Sequence, residues 1–514
     1  MSGRASSSAW WQGSLLLRLL ATDADGRPAL RESRSGRLLE ALGHGLGRRL
    51  GGPLAALDRA VEESRIGGGL LALLARAGGN APAGLLAVTV ALLPWAPQFL
   101  DAGLLLLDLL LLAMEAARGR LRLRSTPLDT VVLLFAWVAA VGALTSVDRS
   151  GSLYTLGQYA VYFAAYLLAS RLLGEERAVR AFWLAAIASG ALAGLDGIYQ
   201  YFTLHGTPKA WIDVETSPGI RARVYGALEN PNVYAQYLVL LLLPALALLI
   251  WRPLGAVWRG APRWRLAGAT LLMLAGLVLS FSRGGWLSFA AAAGALLLLL
   301  EPRWLLYGLA AGVLALLAVT PLRDRFFSAF TLADTSNSFR LYIWTGVLAM
   351  IRAYWLFGAG LGLRTFQYVY PHWMITGVVA LSSHNQYLEM LAELGVVGLA
   401  AYLALGLRTL QVAWNAFRAW SGRDAWRAGA AAGVLGAVLG NMVHGFVDTS
   451  WYSPRVVMLF WLVAGAAGAL RAAAGEGAAE AAEGAGGEPA PGARPGRPVA
   501  PPVARAAAPG RGGS

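Results

Sequence analysis

"VYAQYLVLLLLPALALLIW", residues 233–251, runs for nineteen residues without a charge. At 1.5 Å per residue a helix of that length covers about 30 Å, the thickness of a bilayer's hydrocarbon layer. Polar stretches flank it, "RARVYGALENPN" before and "RPLGAVWRGAPRWR" after. Read as a membrane span, this run decides the class of the whole chain, because the pattern recurs. About twelve spans are predicted: 82–100, 103–117, 128–144, 153–169, 179–201, 233–251, 266–280, 285–300, 304–320, 386–407, 428–443 and 456–472. The fold expected is all-α, a polytopic membrane protein of about twelve transmembrane helices.

Composition agrees. Of 514 residues, 57% are hydrophobic and only 14% charged, against about 25% charged in an ordinary soluble domain. The net charge of +14 lies almost wholly on arginine; Lys209 is the one lysine. These arginines sit in short loops between apolar runs, a topology signal rather than a nucleic-acid surface. Without cysteine, disulfides and thiolate metal sites are excluded. A P-loop needs its lysine, and Lys209 sits in "HGTPKAW", so no such ATP-binding motif is encoded. No His cluster has zinc spacing. No signal peptide is expected, because the first long apolar run begins some eighty residues in. "DAD" at 23–25 is taken as a chance match to a metal–nucleotide motif.

Three regions follow. Residues 1–80 read as a polar, amphipathic cytoplasmic extension, 81–473 as the membrane domain, and 474–514 as a disordered Ala/Gly/Pro tail. Basic connections such as "ARGRLRLRST", "EPRW" and "LRTLQVAWNAFRAWSGRDAWR" alternate with less basic ones, which puts the first set and both termini in the cytoplasm. The large segment 321–383 then faces outward. Its amphipathic stretch "SFRLYIWTGVLAMIRAYWLF" predicts an interfacial helix, ended by Gly358, Gly360 and Gly362.

Groups able to do chemistry gather on that outward side. "SSHNQYLEMLAELGVVGL", residues 382–399, starts a span with His384 and Asn385. On a helix, Gly395 and Gly398 fall near the face of His384, a close-packing seam, while Glu389 and Glu393 point away. "RARVYGALENPN" brings Arg221, Arg223, Asn230 and Asn232 to a span's outer start; "SFSRGG" puts Arg283 at an outer junction; Arg340 lies in the outward segment. Guanidinium forks suit phosphate oxygens, although outward arginines also snorkel to lipid headgroups. Asp196 sits near the outer end of its span, within reach of those arginines, and Asp108 lies mid-membrane.

These residues resemble a family. His384, Asn385, Gly395 and Gly398 fit the His-[Asn/Ser/Gln]-x9-Gly-x-x-[Gly/Thr/Tyr] signature of the O-antigen ligases. "RVYGALENPN" and "SFSRGG" are similar to that wider ligase and polymerase family. The resemblance implies a GT-C-like membrane glycosyltransferase of the bacterial cytoplasmic membrane. Its donor is a glycan on undecaprenyl pyrophosphate, and its acceptor a glycan or glycolipid such as lipid A core. It works among membrane lipids, with its site outward and without metal, ATP or other cofactor. Carried over, its functional residues are Arg223, Arg283, Arg340 and His384. Arg221, Asn230, Asn232, Asn385 and Asp196 are expected to bind substrate. The arginines would neutralise a departing pyrophosphate, and His384 would act as general base on the acceptor hydroxyl. Two other readings stay open: a repeat-unit polymerase of the same family, and an anion transporter of the bicarbonate kind.

Overall fold

A computed structural model describes residues 63–117, 125–203, 219–220, 222–228, 230–251, 263–328, 335–449 and 451–486, with a few positions between 52 and 61. Arg221, Lys209, residues 23–25, most of the expected N-terminal extension and the end of the tail lie outside them. Among the described residues the fold is all-helical, with no strand. In chain order the helices are α1 (Arg65–Gly78), α2 (Ala81–Leu92), α3 (Gln98–Ala117), α4 (Asp129–Leu144), α5 (Arg149–Leu172), α6 (Glu176–Thr203), α7 (Pro231–Ile250) and α8 (Arg263–Leu279). There follow α9 (Arg283–Leu300), α10 (Arg303–Ala318), α11 (Thr320–Phe327), α12 (Thr335–Ala353), α13 (Leu363–Val369), α14 (Gln386–Trp420), α15 (Ala425–His444) and α16 (Pro454–Gly486). Residues past Ala474 form a separate unit.

The expected spans overlap α2 to α10 and α14 to α16, but 82–100 crosses the break after Leu92 into α3, and 304–320 reaches the start of α11. Among the described residues five helices, α6, α7, α9, α14 and the start of α16, are long and apolar enough to cross a membrane. The number rises to seven if the bent pairs α1–α2 (78°) and α10–α11 (103°) each count as one span. The chain is an integral membrane protein. One expectation about helix extent needs correction: the basic stretch after residue 407, read as a loop, continues α14 as helix to Trp420. The stretch before residue 81 holds α1, whose Ser64 cap accepts from the Gly67 N–H.

Helix α7 is the centre. It is apolar all round and sixteen of its twenty residues are buried, the pattern of a core helix rather than a surface one. It packs on α15, α8, α9 and α6. On α15 a side chain at Gly433 would meet the Cα of Pro244 at 2.6 Å; the missing Cβ is what lets these two helices approach.

The segment 335–383 has its own apolar cluster, in which Ile343, Val347 and Met350 of α12 meet Phe366 and Tyr370. It is built into α14. Gly395 has φ 66° and ψ −165°, so α14 is two helices joined at a kink. Residues 355–360 fill the break: the N–H groups of Ala359 and Gly360 donate to the carbonyls of Ala392 and Glu393. In return the N–H groups of Val396 and Val397 donate to the carbonyls of Trp355 and Leu356. The orphan groups of a broken helix are thus satisfied by inserted backbone. This corrects the expectation of a continuous helix with Gly395 on a packing seam.

Candidate active site

One small cavity, about 50 Å³, collects four arginines from separate segments. Arg223, Arg283, Arg325 and Arg340 line it together with Asn232, Ser282, His444 and Asp448. The elements bring them there for local reasons. Arg223 lies in the extended residues before α7. Asn230 caps α7 by accepting from the N–H groups of Asn232 and Val233, which turns the Asn232 side chain toward the cavity. Between α8 and α9, Phe281 takes a left-handed φ of 48°, a strained position for a bulky residue. The turn aims consecutive carbonyls at two arginines: Ser280 O accepts from Arg223 Nε (3.0 Å) and Phe281 O from Arg325 Nε (3.4 Å). Arg283 opens α9, and its Nη1 donates to Ser328 Oγ (3.0 Å). Arg340 stands on α12, one turn before Trp344, whose indole N–H holds the Ser383 carbonyl at 2.8 Å.

His384 joins this cavity through a carboxylate. Its Nδ1 is 2.9 Å from Asp448 Oδ1, which also accepts from the Thr449 N–H. The other oxygen, Asp448 Oδ2, accepts from Asn232 Nδ2 at 2.7 Å. Asn232 Oδ1 in turn accepts from Arg223 Nη2 and Ser282 Oγ, both at 2.9 Å. A continuous line of hydrogen bonds therefore runs Arg223–Asn232–Asp448–His384. Because an ionised carboxylate can only accept, Nδ1 of His384 carries a hydrogen toward Asp448, and in the neutral ring Nε2 is the atom with the lone pair. His384, like Phe281, has a positive φ, 50°, and it precedes α14 rather than belonging to it.

The electrostatics fit an anion. Among the described residues lining the cavity, four guanidinium groups face one carboxylate. Burial first, then Arg325 and Arg283, push Arg223 down to about 9, with Asp448 opposing. For Asp448, burial alone would raise the carboxyl. The hydrogen bond and charge of His384, with Arg340 and His444, hold it well below the usual carboxylate range. His444 is fully buried, and among the described residues neither ring nitrogen has a hydrogen-bond partner.

Of the residues expected from sequence, Arg223, Arg283, Arg340 and Asn232 meet in the cavity, and His384 lies one hydrogen bond from it. Asn230 and Asn385 serve as helix caps; Asn385 accepts from the Tyr387 and Leu388 N–H groups and donates to the Phe446 carbonyl. Asp196 accepts a backbone hydrogen bond from Ala227 and does not line the cavity. Asp108 has no hydrogen-bond partner among the described residues. Glu389 and Glu393, read as pointing away on a helical wheel, turn back to the segments before and beside α14. Glu389 Oε2 accepts from the Ser383 N–H (2.6 Å), and Glu393 Oε2 from Gly362 (2.8 Å). The sequence reading missed Arg325, Asp448 and His444. For His444 and Asp448 the available signal was "HGFVDTSWYSP", a histidine and an acid four residues apart.

Residues 268–403 match the family model described as O-antigen ligase. The matched segment runs from α8 into α14 and holds Arg283, Arg325, Arg340 and His384; it includes "SFSRGG" and the His384 signature, while "RVYGALENPN" lies before it. No curated protein matches the chain.

Proposed function

We propose that this protein is a lipid-linked glycan ligase. It transfers a glycan from undecaprenyl pyrophosphate to an acceptor hydroxyl, of lipid A core or a similar glycolipid, at the outer face of the bacterial cytoplasmic membrane. The observation that carries the reading is Asp448, which orients His384 with one oxygen and, through Asn232, joins the arginine cavity with the other. Base and anion site are thereby held in one frame.

The chemistry follows. The donor's diphosphate enters the arginine cavity, where guanidinium forks neutralise the charge that develops as it leaves. His384 Nε2 removes the proton of the acceptor hydroxyl as its oxygen attacks the anomeric carbon. The new C–O bond forms as the bond from that carbon to the phosphate oxygen breaks, and undecaprenyl pyrophosphate departs. Asp448 stabilises the imidazolium that results. Direct displacement inverts the anomeric centre. The twelve-span topology with both termini cytoplasmic is part of the same proposal.

Reconstitution tests it: purified protein in liposomes with an undecaprenyl-pyrophosphate glycan and lipid A core should give acceptor-linked glycan of opposite anomeric configuration, read by NMR. Retention of configuration would remove the single-displacement mechanism. Chain lengthening on the lipid carrier without added acceptor would reassign the protein as a repeat-unit polymerase.

A further inference from the structure

A second and larger cavity, about 230 Å³, lies on the other side of the 448–449 peptide. Thr449 lines it, while its neighbour Asp448 lines the arginine cavity. Its wall is of a different kind. Tyr154, Tyr159, Tyr162, Trp451 and Tyr452 supply aromatic surface, and Gln158, Gln386, Glu389 and Glu393 supply amide and carboxylate groups. Arg364 is its one cation and sits 5.2 Å over the Tyr154 ring. The volume far exceeds the roughly 30 Å³ share of one water.

Two buried polar groups in that wall are unspent. Gln386 is 2% exposed and Glu389 1%. Among the described residues Gln386 Nε2 and Glu389 Oε1 have no hydrogen-bond partner. Their other atoms are engaged: Gln386 Oε1 accepts from the Trp451 N–H, and Glu389 Oε2 from Ser383, the residue before His384. An unmade hydrogen bond on a buried donor or acceptor is costly, and both groups belong to residues of the cavity wall, so a small turn of either side chain lets an occupant complete the bond. The occupant carries hydroxyl groups, which donate to a carboxylate and accept from an amide. It also carries apolar C–H faces to lie against the aromatic rings. An anion finds a single arginine among the described residues of this wall, against four in the other cavity.

We propose that this cavity seats a non-anionic sugar unit of the acceptor glycan. The site rests on the ligase reading but makes a separate claim, the chemical class of the acceptor's terminal residue. Through Glu389 and Ser383 the seat is tied to the loop that holds His384.

Binding is measured first without turnover. Full-length protein in nanodiscs is titrated with disaccharides of glucose, galactose and N-acetylglucosamine, and with a glucuronate-bearing disaccharide, by saturation-transfer NMR. Neutral disaccharides are expected to bind and the glucuronate to bind less. Loss of one hydrogen bond in Gln158→Leu, or of one ring in Tyr154→Leu, weakens binding about tenfold. In transfer assays the same variants raise the acceptor KM by a similar factor and leave the donor KM unchanged. Arg340→Ala, in the other cavity, reduces transfer while saccharide binding persists. The proposal is overturned if no neutral disaccharide binds, if glucuronate binds best, or if the two variants shift the donor KM instead. Saccharide binding with no transfer to any acceptor would sink the ligase reading alone.

Discussion

Asp448 is the residue on which the most turns. In Asp448→Asn the side chain keeps its shape, but its amide N–H can face His384 Nδ1 and reverse the ring's tautomer. Transfer should fall by roughly 10²–10⁴ in kcat with the donor KM little changed, measured in the liposome assay; a loss below tenfold contradicts the orienting role. The carboxyl's depressed folded value has a second consequence. With the folded value below the unfolded one near 4, only the unfolded chain binds the proton between the two. The stabilisation is therefore complete above about pH 5 and is lost as pH falls through that window. The melting-temperature gap between wild type and Asp448→Asn should be widest at neutral pH and shrink below about pH 4. Asn385→Ala, which removes a cap, should cost about 1 kcal/mol of stability, with acceptor and donor KM values unchanged. At this scale the sequence was partly legible. Outward arginines and a rim histidine stand out because they break the expected loop bias. Asp448 did not, since an acid in a short loop looks ordinary until the fold sets it 2.9 Å from a residue 64 positions earlier. The helical wheel failed for Glu389 and Glu393 because His384 is not helical and α14 is broken at Gly395.

Among the elements, the joint between α14 and residues 355–360 makes the sharpest prediction. A Cβ at Gly395 would lie 2.3 Å from the Leu356 carbonyl carbon, on a backbone already at positive φ. Gly395→Ala should destabilise by at least about 2 kcal/mol, seen as a lower midpoint in thermal unfolding in detergent. A Cβ at Gly398 would also be crowded, 2.0 Å from Leu394 Cβ, but on helical backbone rather than at a positive φ. Sequence periodicity recovered the helices themselves, because apolar runs near twenty residues have few other readings. It could not see the break: a glycine in a helical pattern is locally indistinguishable from a packing glycine, and the partner that fills the gap is more than thirty residues away.

For the molecule as a whole, orientation is the open quantity that one experiment fixes. The natural chain has no cysteine, so single-cysteine labelling has no background. Val379→Cys in the exposed part of the outward segment should react with an impermeant maleimide from the periplasmic side. Gly422→Cys, beyond the far end of α14, should react only after the inner membrane is opened. Labelling in the reverse order would put the arginine cavity on the face where no lipid-linked donor is presented. Class and helix order were readable from the sequence at this scale, because they follow from length and apolarity; the arrangement of helices around α7 was not, since every apolar face there looks alike. The plugged joint in α14 also bears on how this enzyme can be re-engineered. A segment whose main chain completes another helix is a mortised part rather than an appendage. Grafting residues 335–383 from a relative to change acceptor choice will therefore succeed only when residues 392–398 travel with them, and trimming that segment in search of a minimal catalyst will unseat His384.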